Sequence, residues 1–109
     1  MAKTIIGVMG PGENATAEIN EQTEKLGKLI AQEGWILLTG GRNKGVMDAV
    51  SKGAQQGGGL TIGILPTEDD KGASKYLDIP IRTGMGSARN NINVLSSDVG
   101  VACGIGAGT

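Results

Sequence analysis

The sequence predicts an α/β domain with a doubly wound parallel sheet and helices on both faces. Short apolar segments alternate along the chain with longer segments that have helical periodicity. The apolar segments are continuous runs, as in parallel strands that are buried on both faces. Glycine-rich turns separate the segments. With 109 residues, we expect one ligand-binding domain over residues 1–109.

The first strand and helix are marked by clear end signals. An apolar strand is predicted over residues 4–9, and it ends where Gly10 begins a glycine-proline-glycine turn. A helix follows, with Asn14 or Thr16 as its N-cap. Gly34 fits the residue just past the end of that helix. These signals predict the first strand–helix unit.

A second strand–helix unit and a third strand follow. The apolar run 35–39 predicts a strand that leads into the glycine-rich loop 40–45. Apolar residues at helical spacing then predict a helix over 46–56. The next apolar run, 60–65, is a third strand that Pro66 ends.

The remaining segment returns the chain to the sheet. Residues 66–75 are polar and acidic, and we expect a solvated loop there and not a metal site. A short extended piece over 79–83 is predicted at the edge, beside the third strand. Ser87 is a candidate cap for a helix over 88–96, and 99–103 is a last strand beside the first.

This strand order is Rossmann-like and reverses beside the first strand, where a crevice opens at the carboxyl end of the sheet. Glycine lets the backbone approach a ligand, and the helix N-termini behind such loops favour anions. Four glycine-rich loops are predicted at this edge: residues 10–12, 40–45, 84–86 and 104–108. The sequence therefore predicts a site for an anionic, phosphate-bearing small molecule.

Basic and amide side chains accompany these loops. Arg42 and Lys44 lie in the second loop, where they either help to hold phosphate or are solvated cations. Arg89 lies in the first turn of a helix, against the helix dipole, so it either serves the site or faces water. Asn90 and Asn91 are short enough to reach the crevice. The loops match neither the P-loop motif nor the dinucleotide-binding fingerprint.

Composition narrows the function further. Glycine accounts for 20 of the 109 residues, and no histidine is present, which argues against zinc hydrolases and Ser-His-Asp catalysis. The net charge of -1 predicts no nucleic-acid partner, and the short apolar runs predict no membrane span. The single Cys103 predicts a reducing, cytoplasmic location and is interpreted as an inert core thiol.

Two stretches resemble signatures of a known family. Residues 40–54, Gly-Gly-Arg-Asn-Lys-Gly-Val-Met-Asp-Ala-Val-Ser-Lys-Gly-Ala, are similar to the first signature of the LOG-like Rossmann-fold family, formerly called lysine decarboxylases. Residues 104–109 are similar to the start of its second signature. The family includes phosphoribohydrolases and molybdenum cofactor carriers, and the stretches 7–12 and 84–91 resemble the carriers most.

The resemblance implies binding and storage or transport of the molybdenum cofactor without catalysis, with no protein-bound metal. The implied cofactor-binding residues are Gly10, Gly12, Asn14, Gly40, Gly41, Arg42, Asn43, Gly45, Arg89, Asn90, Gly106, Gly108 and Thr109. It also implies a homodimer or homotetramer, with molybdoenzymes or cofactor-synthesis proteins as further partners.

Two alternatives stay open: a nucleoside 5'-monophosphate phosphoribohydrolase and a nucleotide-sensing module. The family's hydrolases carry a Met-His-x-Arg-Lys stretch, of which only the arginine is matched, by Arg89. The glutamate that completes the second signature would lie beyond Thr109. We therefore expect a domain that is truncated at its C-terminus or completed by a partner.

Overall fold

The computed structural model describes residues 3–10 and 15–103, in which strands and helices alternate. The elements are β1 (Ile5–Met9), α1 (Ala17–Gln32), β2 (Ile36–Thr39), α2 (Gly45–Gln56), β3 (Thr61–Leu65), β4 (Ile79–Arg82), a 3-10 turn (Gly86–Ala88), α3 (Arg89–Ser96) and β5 (Val99–Ala102). No helix in these ranges is both long enough and apolar enough to cross a bilayer.

The five strands form one sheet in the order β4-β3-β2-β1-β5, and every neighbouring pair is parallel. The predicted fold class is therefore confirmed, as are the edge position of β4 and the place of β5 beside β1. The sheet order reverses at β1, as the sequence predicted.

Helices cover both faces of the sheet. Ile6 and Val8 belong to a core on one face, together with residues of α1 and α2. Gly7 lies between them and so points to the opposite face. A Cβ atom at Gly7 would overlap the side chain of Ser97, which follows α3 directly. The end of α3 therefore lies on the face opposite α1 and α2.

The core is aliphatic and lies between the sheet and the α1–α2 pair. Its central side chains expose at most 5% of their surface, and each buried Val, Leu or Ile contributes roughly 1.5–3 kcal/mol to the free energy of folding. The core cluster consists of Ile6, Val8, Ile30, Leu37, Val46, Val50 and Ala54. It holds α2, and with it the glycine-rich loop before α2, against the sheet.

Two glycines set the distance between α1 and α2. A Cβ atom at Gly27 would overlap the backbone oxygen of Val50, and one at Gly53 would overlap the backbone oxygen of Glu24. The two backbones therefore approach more closely than any larger residue permits. Part of the glycine excess thus serves helix packing.

The structure shows which of the predicted residues cap the helices. Thr16 is the N-cap of α1, and its Oγ1 accepts a hydrogen bond of 3.1 Å from the backbone N–H of Ile19. The other candidate, Asn14, lies outside the described residues. Gly34 has a φ of +78°, as expected just past a helix. The predicted cap Ser87 is wrong: it lies in the 3-10 turn, and Ala88 precedes α3 without a side-chain cap.

The two edge strands are far more exposed than the central three. Large apolar groups are exposed on α3 and β5, where Leu95 is 85% and Val99 51% accessible. Parallel strands were expected to be covered on both faces, and this holds for β1, β2 and β3 only.

Candidate functional site

A cavity of about 300 Å³ opens at the carboxyl ends of β1 and β2, where the strand order reverses. Helices α2 and α3 complete its walls. The lining residues are Val8, Met9, Gly10, Gly40, Met47, Arg89, Asn90 and Asn93. Its volume lies at the lower end of the range for small-molecule sites, which is roughly 300–1,000 Å³.

Arg89 is held across the ends of two strands. Its Nε donates to the backbone oxygen of Ile64 at 3.0 Å, and its Nη2 donates to that of Gly40 at 3.5 Å. Its Nη1 donates to Oδ1 of Asn90. All three acceptors are neutral, so the guanidinium is fixed in place while its charge stays available to a ligand.

The electrostatics of this region favour an anion. Burial lowers the pKa of Arg89, and the positive charge of nearby Arg42 lowers it further. An arginine with a lowered pKa is still cationic at neutral pH. Within residues 3–10 and 15–103, no ion pair joins either arginine to a carboxylate. The two like charges repel each other, and a bound anion would relieve that repulsion.

The glycine-rich loop 40–45 places the N-terminus of α2 at the carboxyl edge of the sheet, beside the cavity. Gly41 and Gly45 have φ values of +80° and +56°, which larger residues rarely adopt. No side chain in the described part of the chain caps the start of α2. Its first-turn N–H groups therefore lack a helical partner and carry the positive end of the helix dipole.

A second loop braces this one. The backbone N–H of Asn43 donates to the oxygen of Gly72 at 2.9 Å, and that of Ser74 donates to the oxygen of Gly41 at 2.8 Å. The Ser74 hydroxyl donates to Oδ1 of Asp48, in the first turn of α2, at 2.7 Å. Ser74 exposes 4% of its surface. The loop after β3 was predicted to be solvated, but this end of it is buried.

Two glycines line the cavity because no larger residue fits there. A Cβ atom at Gly10 would overlap the backbone oxygen of Cys103. At Gly40 it would lie 2.8 Å from Nη2 of Arg89 and 2.8 Å from Sδ of Met47. The missing side chain at Gly40 therefore leaves room beside two other residues of the cavity wall, Arg89 and Met47.

The predicted binding residues fall into three groups. Four of them, Gly10, Gly40, Arg89 and Asn90, line the cavity. Four more form the adjoining loop and helix start: Gly41, Arg42, Asn43 and Gly45. The other five lie outside the described residues: Gly12, Asn14, Gly106, Gly108 and Thr109. Asn91, a further candidate, is exposed and does not line the cavity.

Sequence reasoning missed three polar or sulfur-bearing residues of the wall: Met9, Met47 and Asn93. A signal for Asn93 existed. It follows Arg89 by four residues, so the two share a helix face. Met47 occupies an ordinary apolar position of α2, and its spacing does not distinguish a residue of a cavity wall from a residue of the core.

The other titratable groups considered from sequence do not line the cavity. Cys103 is half-buried, and burial raises the pKa of its thiol, which keeps it protonated. The carboxylates of residues 68–70 are exposed, as predicted. Among the described residues no three His, Cys, Asp or Glu side chains come together as a metal site would require.

Comparison with known proteins places these features in a family context. A model of the SLOG cluster4 family matches residues 3–109. The molybdenum cofactor binding protein from Rippkaea orientalis is 62% identical with a TM-score of 0.95, covering 99% of this chain and 66% of that one. The molybdenum cofactor carrier protein from Chlamydomonas reinhardtii is 55% identical with a TM-score of 0.89, covering 98% and 66%.

A shorter stretch of the chain is similar to an enzyme. Over 50 residues the chain is 40% identical to a cytokinin riboside 5'-monophosphate phosphoribohydrolase from Mycobacterium tuberculosis, covering 46% of this chain and 27% of that protein. The chain spans about two thirds of the length of the two solved structures.

Proposed function

The chain belongs to the SLOG cluster4 family, and from that premise we propose that it binds and stores the molybdenum cofactor without catalysis. The proposal rests mainly on the two neighbouring cations Arg42 and Arg89, which form no ion pair with a carboxylate among the described residues. Arg89 lines the cavity that opens where the strand order reverses. The similarity to proteins that bind or carry this cofactor supports it.

The described residues fit a phosphate-bearing pterin. The phosphate would lie on the loop 40–45, against the N-terminus of α2 and Arg42. The pterin would enter the cavity beside Arg89 and Asn90. The bare backbone at Gly40 leaves room for it. Five residues outside the described ranges would complete this site: Gly12 and Asn14 toward the pterin, and Gly106, Gly108 and Thr109 toward the phosphate.

The cavity wall is suited to holding a ligand more than to transforming it. Of the described residues that line it, Arg89 is the one with a titratable side chain. General acid–base catalysis needs a group that exchanges a proton near neutral pH, and arginine does not. When bound, the cofactor would hold molybdenum through its own dithiolene sulfurs, so the protein need not supply a metal ligand.

Cofactor retention tests this proposal. The protein is mixed with isolated molybdenum cofactor without oxygen and passed through a gel-filtration column. We expect pterin fluorescence and molybdenum to elute with the protein at close to one equivalent per chain. Elution of all cofactor at the small-molecule volume would contradict the proposal.

Arg42→Ala and Arg89→Ala should each weaken cofactor binding by roughly tenfold or more, because a charge-assisted contact is lost. The matched control is Arg82→Ala. Arg82 is an exposed arginine that pairs with Asp70 at 2.6 Å, away from the cavity. Its loss should leave the dissociation constant unchanged, and an equal effect of all three variants would show that only net charge matters.

Phosphoribohydrolysis is the alternative that the mycobacterial similarity favours. Incubation with AMP followed by chromatography of the bases tests it directly. Release of adenine at a rate that Arg89→Ala abolishes would establish the enzyme and contradict a carrier without catalysis. AMP that binds but stays intact would instead favour nucleotide sensing.

We also propose a homodimer or homotetramer in the cytoplasm, with molybdoenzymes or cofactor-synthesis proteins as partners. The exposed apolar groups of α3 and β5 support self-association, since large exposed apolar patches mark contact sites between proteins. Light scattering coupled to gel filtration tests the assembly. A single species with the mass of one chain would contradict it.

A further inference from the structure

Asn93 is a buried polar residue without a visible structural task. It lies in α3 and exposes 3% of its surface. Its side-chain Oδ1 is buried and has no hydrogen-bond partner among the described residues. Burying an amide oxygen without a partner costs free energy, so an apolar side chain would suit the fold better at this position.

Its location suggests what the unpaired oxygen is for. Asn93 forms part of the wall of the cavity, one helical turn beyond Arg89. The Oδ1 of its neighbour Asn90 already accepts from Arg89, whereas that of Asn93 does not. Two other buried oxygens lack a partner in the described part of the chain, those of Asn20 and Thr61, and neither residue lines this cavity.

The surroundings of Asn93 narrow the kind of group that it could meet. Met9 and Met47, both partly exposed, line the same cavity with apolar side chains. A flat ring fits such walls, and methionine sulfur makes favourable contacts with aromatic rings. The acceptor at Asn93 then requires an N–H at the edge of that ring.

We propose that Asn93 is the specificity-determining residue for the ligand's heterocycle, with its Oδ1 accepting a hydrogen bond from a ring N–H or an exocyclic amine. This inference rests on the proposed function for the choice of a pterin, whose aminopyrimidinone edge carries such donors. It assigns recognition of the ring to α3, separate from recognition of the phosphate by the loop 40–45.

The test uses two probes and a matched pair of variants. Neopterin monophosphate carries both ring and phosphate, and ribose 5-phosphate carries the phosphate alone. Asn93→Leu removes the acceptor and keeps the number and branching of the side-chain heavy atoms. Asn91→Leu makes the same substitution two residues away, at an exposed position of α3. Titration calorimetry then gives the dissociation constants for both probes.

We expect Asn93→Leu to weaken neopterin monophosphate binding about tenfold or more, with ribose 5-phosphate binding unchanged. Its Tm should equal or exceed that of the wild type, because an unpaired buried amide is gone. Asn91→Leu should change neither dissociation constant. Wild-type affinity of Asn93→Leu for the pterin, or equal weakening for both probes, would overturn the assignment.

The outcome separates this inference from the proposed function. If the wild type binds AMP and not the pterin, the carrier proposal fails, and the same ratio measured with AMP and ribose 5-phosphate decides the role of Asn93. If Asn93→Leu does not fold, Asn93→Ala provides the same ratio. A wild type that binds neither heterocycle would overturn both proposals.

Discussion

At the scale of single residues, the site depends on an arginine whose geometry is set by neutral partners. Arg89 bonds to carbonyl oxygens of Ile64 and Gly40, and this fixes its position without neutralising it. A carboxylate partner would have stabilised the arginine while cancelling the attraction for an anion. Burial is the main reason that the pKa of Arg89 is lowered. The charged arginine is therefore partly desolvated, and a bound anion would offset that cost.

Gly40 is the residue at which the size of the cavity is most directly tested. In Gly40→Ala the new Cβ would press on the ends of the Arg89 and Met47 side chains, at 2.8 Å from each. Both side chains are flexible, so we expect the fold to survive while Arg89 is displaced. Cofactor affinity should fall at least several-fold with a Tm within a few degrees of the wild type, as measured by titration and thermal melting.

Gly100→Ala is the control for that substitution. Gly100 lies in β5, and a Cβ atom there would meet nothing within 4 Å. Its affinity for the cofactor should equal that of the wild type. An unchanged affinity of Gly40→Ala would show that the ligand does not need the space beside Arg89.

At the scale of elements, α1 and α2 form a closely packed pair that supports the site from behind. Gly→Ala normally stabilises a helix by nearly 1 kcal/mol. At Gly27 or Gly53 we expect the reverse, a loss of about 1–3 kcal/mol in the free energy of unfolding, because the added methyl would overlap backbone of the facing helix. Urea denaturation measures it.

Gln55→Ala, at an exposed position of α2, is the matched control. It should leave the free energy of unfolding nearly unchanged. If Gly27→Ala stabilised the protein instead, the helices would be farther apart than described.

The loop that ends β2 and the loop that follows β3 act as one unit. Ser74→Ala removes the hydrogen bond to Asp48 and should cost about 1 kcal/mol of stability. Because Ser74 braces the start of α2, we also expect a several-fold weaker affinity for phosphate-bearing ligands. Thr67→Ala, which removes a hydroxyl contact at an exposed point of the same loop, should change neither quantity. Equal effects of both variants would contradict the bracing role.

At the scale of the whole molecule, a nearly neutral chain presents a locally cationic site. The net charge is -1, yet Arg42 lies close enough to Arg89 to lower the pKa of Arg89. The attraction for an anion is therefore local. It should weaken with added salt, because partly exposed charges are screened within about 10 Å at 0.1 M ionic strength.

The fold could be predicted from sequence because alternation and end signals act locally. Apolar runs, glycine turns and caps predicted the strands, the helices and the parallel order. The prediction of Ser87 as a cap was wrong because a 3-10 turn begins before it. The glycine loop and Arg89 were predicted as site residues, and that role stays a prediction. Three features were missed because each depends on contacts between distant segments: the close packing of α1 and α2 at Gly27 and Gly53, the bracing by Ser74 and the burial of Asn93.

The most direct test of the central claim is a titration with isolated molybdenum cofactor, repeated in the presence of AMP as a competitor. The account predicts saturable binding near one equivalent per chain that excess AMP does not displace. Absence of cofactor binding would contradict it. Ready displacement by AMP would also contradict it and would assign the cavity beside Arg89 to a nucleotide.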